Sequence, residues 1–148
     1  MKTVALRFGE HFAPNCGTIA AHQEIIDHLG FVWYGKLGGA VSENVRQDIL
    51  KNEHPRILLI NSGKFDRYWA HISEIKRETP NLAEIPAYYR HMAKDFKTWF
   101  KVNAFETASR DIMSKCVVSS SKSPLTEASK HSMSPYFIIE YNKSECSL

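Results

Sequence analysis

Cysteine is scarce in this chain. Three occur in 148 residues, Cys16, Cys116 and Cys146, far apart and in no CxxC pair. That pattern indicates neither a disulfide framework nor a zinc site, and free thiols suit a reducing compartment. Long apolar runs are missing as well, and none approaches the ~20 residues of a membrane span. The amino terminus, MKTVALRFGEHF, meets charges before an apolar signal-peptide core could form. A cytoplasmic protein without membrane association is therefore expected. GxGxxG, P-loop and HExxH strings are all absent, which removes the common nucleotide-cofactor and helical zinc sites. Neither cofactor nor metal is expected. Charge of one sign is also in short supply: 19 Lys and Arg against 16 Asp and Glu leave a formal charge of +3 and a pI near 8.7. A balance so mild does not by itself mark a nucleic-acid partner.

The composition that remains, 43% hydrophobic and 24% charged, is that of a globular protein, and the length suits one domain with one core. We expect a single domain over residues 1–141 and a frayed tail over 142–148. Val4, Leu6 and Phe8 alternate with Ala5 and Arg7, as in a half-buried strand. Ile19, His22, Ile25, Ile26 and Leu29 then stripe one face of a helix, and Gly30 stands at its C-terminal cap. FVWYGK over 31–36 reads as a strand, SENVRQDILKN from Ser42 as a capped second helix, and RILLI over 56–60 as a central strand. Asn61-Ser62-Gly63 turns into a hairpin partner in which Trp69, His71 and Ser73 oppose Tyr68, Ala70 and Ile72. A short helix is expected around 88–94. Next comes a strand over 98–105, with Trp99, Lys101 and Asn103 opposite Phe100, Val102 and Ala104. A helical turn over 109–114, a polar SSSKSP loop, a short helix over 125–130 and a last strand over 136–141 complete the pattern. Helices inserted between five or six strands, rather than in strict alternation, predict an α+β fold. Its sheet is expected to be mixed and largely antiparallel, curled or closed into a small barrel and flanked by helices.

The strings FDRYWAHISEI, TWFKVNAFE and PLTEASKHSMSPYFIIEY carry a resemblance to the PUA-like superfamily, and within it to domains of the EVE and YTH type. Trp99, Phe100 and Phe105 match the "wF.v..f" strand, Leu125 the short helix, and Tyr136, Phe137 and Ile138 the closing "yF.i" strand. The resemblance covers the second half of the chain. It implies a non-catalytic reader of a modified or flipped base in DNA or RNA, held between aromatic faces and hydrogen-bonded at its edge. The GxKxxExR string of the related ASCH hydrolases is absent, so no hydrolase chemistry is implied.

Base stacking on an aromatic side chain contributes ~1–3 kcal/mol whatever the base, so the strand-borne tryptophans are the candidate walls. Trp69 and Trp99 lie opposite the more apolar face of their strands, and Trp33 is a third candidate. Strand aromatics ordinarily fill a core, which is the competing reading. Asn61 and Ser62 follow RILLI, where a barrel mouth should open, and suit the edge of a base. His71 and Ser120 complete the candidate ligand set, and Lys36, Lys64, Arg67 and Lys101 are candidate phosphate contacts. Two other classes stay open. One is a small nucleoside- or nucleotide-acting enzyme using His71 or Cys16, the latter conceivably paired with His22 near a helix start. The other is a protein-interaction module that presents exposed aromatics.

Overall fold

The first strand, β1 (Lys2–Phe8), is buried continuously from Thr3 to Leu6 rather than half-buried as its alternation suggests, because both faces of the sheet are covered. The striped segment after it forms α1 (Thr18–Leu29). Gly30 closes α1 in the left-handed conformation at φ 86°, its N–H bonded to the Ile26 carbonyl, a backbone geometry that favours glycine. Then follow β2 (Val32–Lys36), α2 (Glu43–Leu50), β3 (Arg56–Asn61), β4 (Arg67–Lys76), β5 (Thr98–Thr107), β6 (Cys116–Val118), α3 (Leu125–His131) and β7 (Tyr136–Tyr141). Short 3-10 turns lie at Leu82–Glu84, Ala87–Asp95 and Ile112–Lys115. The computed structural model describes residues 1–10, 13–61, 66–132 and 134–141. The expected turn residues Ser62, Gly63 and Lys64 and the expected tail over 142–148 lie outside the described residues. Ser42 caps α2 as the sequence predicts, accepting the Val45 N–H.

All seven strands join one sheet in the order β2-β5-β4-β3-β1-β7-β6. Its centre is a parallel pair, β1 with β3, and the other neighbours run antiparallel. The expected mixed sheet is therefore present, curled but not closed into a barrel. β1 also pairs with the last strand, and Met1 and Tyr141 exchange backbone hydrogen bonds of 2.9 and 2.8 Å. β6 was not expected from the sequence, since three residues are too few for a period and only the partner β7 defines them.

Both faces of the sheet are covered. On one face Leu6, Leu59, Ile72, Phe100 and Val102 pack beneath α1 and α2. The other face divides into two clusters. Leu58, Trp69, Phe137 and Ile139 lie against Leu125 of α3 and the Ile112–Lys115 turn. Trp33 and Trp99 lie against Ile85, Tyr89 and Ala93. The 3-10 segments thus cover the face that the alternation pattern left less apolar.

Two register shifts bend the long β4–β5 ribbon. Ile72 pairs with Val102 although His71 pairs with Ala104, and Glu74 pairs with Lys101. One extra residue, Asn103, sits on β5 and another, Ser73, on β4. Each bulge turns the following side chain to the opposite face and adds local twist. The prediction that Ala104 shares a face with Phe100 and Val102 therefore fails: Ala104 is exposed and Phe105 packs on that core instead.

A sheet wet on one side would tolerate truncation of one of two consecutive strand residues. Here Leu58 and Leu59 are both fully buried, on opposite faces. Leu58→Ala and Leu59→Ala are each expected to lower unfolding free energy by ~2–5 kcal/mol in urea titrations.

Candidate functional site

Where the sheet curls, the ends of β1 and β2 approach without a hydrogen-bond ladder between them. The Lys36 ammonium sits 4.0 Å from the centroid of the Tyr136 ring of β7. The gap holds a cavity of about 280 Å³. Its walls come from Leu6–Gly9 at the end of β1, Thr18 and His22 of α1, Tyr34–Leu37 of β2, Tyr88, Tyr89, Met92 and Phe96, and Pro135. The volume lies at the small end of ligand sites, enough for one ring system and little more.

One wall of the cavity is set by a close approach at Gly35. A Cβ at that position would stand 2.8 Å from Cγ of Phe96 and 3.0 Å from the Trp99 ring. Glycine alone lets Phe96 lie flat against the strand, with Trp99 edge-on to it at 5.2 Å between centroids.

The polar floor is a buried chain. A carbonyl can only accept, so His22 Nδ1 carries the proton it donates to the Thr18 carbonyl at 2.8 Å. His22 Nε2 then accepts from the Tyr89 hydroxyl at 2.7 Å. The same hydroxyl lies 3.1 Å from the Trp33 carbonyl, a second acceptor, and receives a backbone hydrogen bond from Gly35. Burial pushes the His22 pKa down to about 4, and the Tyr89 hydroxyl well above the usual tyrosine value, so both are neutral near pH 7. Around His22 stand the rings of Tyr34 at 5.0 Å, Tyr89 at 5.5 Å and Tyr88 at 6.5 Å.

Two cations line the cavity, and both are committed to other groups. Arg7 donates to the carbonyls of Ser129, Ser132 and Ser134 at 2.6–2.9 Å. Lys36 donates to the carbonyls of Gly39 at 2.7 Å and Leu37 at 3.0 Å, and desolvation lowers its pKa. Among the described residues no carboxylate side chain lines the cavity, and the nearest acid acting on its rings is Glu10. Tyr34 is 6% exposed, and its hydroxyl makes no hydrogen bond among the described residues. Burial first, then the nearby Tyr88 and Glu10, raise its pKa, so it keeps its proton and is free to donate.

Of the described residues singled out from sequence, Lys36 of the ligand and phosphate candidates and His22 of the enzyme candidates line this cavity. Lys36 does so as a buried strut rather than as a surface phosphate contact. Trp33, Trp69 and Trp99 are 3%, 4% and 0% exposed and fall into two separate core clusters, so they do not converge as walls of one pocket. The physical reason is the 3-10 cover on the second face. Asn61 is buried at the end of β3 beside Phe8, outside the cavity lining. His71 pairs with Glu106 at 2.8 Å across β4 and β5. Ser120 is an exposed turn residue on the far side of β6. Lys101 lies 4.5 Å from the Phe31 ring centroid, and Arg67 Nε meets the sulfur of Met113 at 3.0 Å. Ser62 and Lys64 lie outside the described residues. His22 is a satisfied core histidine, both nitrogens engaged, and Cys16 is exposed. Large exposed apolar residues among those described are Leu29, Leu37 and Leu82, with no aromatic among them. Sequence reasoning missed Tyr88 and Tyr89. Their only signal was a pair of rings between Pro86 and a basic run, without a period to assign them a face.

Among the described residues no cluster of three or more potential metal ligands occurs, and no helix is long and apolar enough to cross a membrane. An α+β fold built on an unclosed seven-stranded mixed sheet is consistent with a PUA-like architecture. The Pua-like family model matches residues 4–143, and the chain belongs to that family. No curated protein and no solved structure matches it.

Two tests follow from this geometry. Gly35→Ala is expected to displace Phe96 toward the cavity and cost ~1–3 kcal/mol in urea unfolding. His22 has a folded pKa of about 4, below its unfolded value of 6.5. Its neutral form therefore contributes stability that is fully present above pH 6.5 and is lost as pH falls from 6.5 toward 4. At about 1.4 kcal/mol per pH unit that amounts to ~3 kcal/mol. Unfolding free energies measured between pH 7 and pH 4 should fall more steeply for the wild type than for His22→Gln.

Proposed function

We propose that the protein is a non-catalytic reader that holds one nucleobase of DNA or RNA, modified bases included, in the cavity between β1 and β2. The observation that carries this reading is the lining itself: rings from β1, β2 and the Ala87–Asp95 segment around a space for one ring system, with no carboxylate side chain among the described lining residues. PUA-like domains generally bind RNA or DNA, which supports the same class of ligand. Tyr88 is half-buried and lines the cavity with its neighbour Tyr89 edge-on at 4.9 Å, so it is the ring available for stacking. The Tyr34 hydroxyl is the donor for an acceptor on the base edge. Met92 and Pro135 supply apolar surface that a methyl group on the base would contact. Lys36 keeps a place in this reading as the cation behind the wall, since it fixes the end of β2.

The enzymatic alternative has less behind it. His22 has no free nitrogen, and His71 lies outside the cavity. The interaction-module alternative relied on exposed aromatics, which the described residues do not offer.

Fluorescence anisotropy with labelled single-stranded DNA and RNA, each with and without methylated bases, tests the proposal. Tyr88→Ala should weaken binding by ~1–3 kcal/mol, about 5- to 150-fold. Trp69→Phe, a core change in a different cluster, should leave affinity near wild type. Equal affinity for Tyr88→Ala and wild type would remove the cavity from the binding site.

A further inference from the structure

A base in the cavity belongs to a strand whose phosphates must cross the protein surface nearby. We propose that the outer side of the Ala87–Asp95 segment and the turn after it, through Arg90, Lys94 and Lys97, carries the phosphate backbone of that strand. This rests on the cavity being a base site, and it assigns a second surface with a different chemistry.

The segment is two-sided. Tyr88, Tyr89, Met92 and Phe96 line the cavity, while Arg90, His91, Lys94 and Lys97 are exposed. Arg90, Lys94 and Lys97 are thus the exposed cations of a stretch that is not one regular helix. Lys97 lies just past the segment's end, and irregular dihedrals at Tyr89 and Met92 mark its kinks.

Cations elsewhere on the molecule are mostly engaged. Lys2 and Lys51 pair with Asp48, Arg46 with Glu43, Lys115 with Asp111 and Lys122 with Glu140. Lys76 and Lys101 lie over the Trp33 and Phe31 rings. Arg90, Lys94 and Lys97 form no ion pair among the described residues, and Arg90 spends only Nε and one terminal nitrogen on the Ile85 carbonyl. Arg77, Arg110 and Lys130 are also exposed and free of ion pairs among the described residues, Arg77 donating to the Val41 carbonyl, but they are far apart in the chain. Three cations outside any ion pair, with Asp95 the one acid among them, fall within eight residues beside the proposed stacking ring and form a track rather than a scatter. The whole chain is only +3, so the attraction is local.

Counterion release gives the test. Each phosphate neutralised on a single strand contributes about −0.7 to the slope of log affinity against log salt concentration. The triple variant Arg90→Gln, Lys94→Gln, Lys97→Gln should flatten that slope by ~2. All three residues are exposed, so the fold should persist, and a wild-type urea midpoint verifies it. Arg110→Gln with Lys130→Gln should leave the slope unchanged. Tyr88→Ala should lower affinity at every salt concentration without altering the slope. An unchanged slope in the triple variant overturns the phosphate track alone. A flattened slope together with an inert Tyr88→Ala retains the track and overturns the cavity reading. Absence of binding to any oligonucleotide at low salt overturns both.

Discussion

The hydroxyl of Tyr89 is the constraint on which the site depends. It bonds His22 of α1, faces the Trp33 carbonyl and receives the Gly35 N–H, and so links a helix, a 3-10 segment and the outward edge of β2. Edge strands carry unpaired backbone groups, and burying them unpaired costs free energy. A side chain here stands in for the missing neighbouring strand. That substitution lets the sheet stop at β2 without closing, and the cavity is the space that closure would have filled. Gly35 makes the arrangement possible, because any side chain there would collide with Phe96.

The cavity is consequently neutral at its floor and aromatic at its sides. Its two cations stabilise the walls instead of facing a ligand. Arg7 holds the turn after α3, and Lys36 holds the loop after β2 against β7. An uncharged flat ring loses little on entering such a space, whereas a phosphate would be desolvated with no free cation to meet it. The free positive charge lies outside, on the reverse of the segment that supplies Tyr88. Under the proposed reading, ring and phosphate recognition divide across a single short stretch of chain.

Much of the fold was legible in the sequence because local rules and tertiary packing agreed there. Gly30, Ser42 and the α1 stripe marked their helices, and Tyr136–Tyr141 was readable as the last strand. Alternation misled where a bulge changed its phase, as at Asn103 and Ser73, since period-two reasoning cannot detect an inserted residue. The site was less legible for a related reason. Trp69 and Trp99 were given a wet face, but that face is buried beneath segments with no helical or strand period of their own. Tyr88 and Tyr89 belong to one of those segments, so nothing local assigned them a direction. Tyr34 was visible as a strand aromatic, but its role depends on an unclosed seam that only the assembled sheet defines.

The position of β1 also governs the order in which the chain can assemble. One neighbour of β1, β3, follows within about fifty residues of chain, while the other is the last strand, and Met1 bonds to Tyr141. Arg7 likewise waits for carbonyls more than 120 residues downstream. Such long-range pairing closes large loops and slows folding. During synthesis β1 leaves the ribosome well before β7 and keeps one side open until β7 has followed. The cavity wall at Arg7 and Pro135 therefore forms only after the segment from Ser129 to Tyr141 is in place.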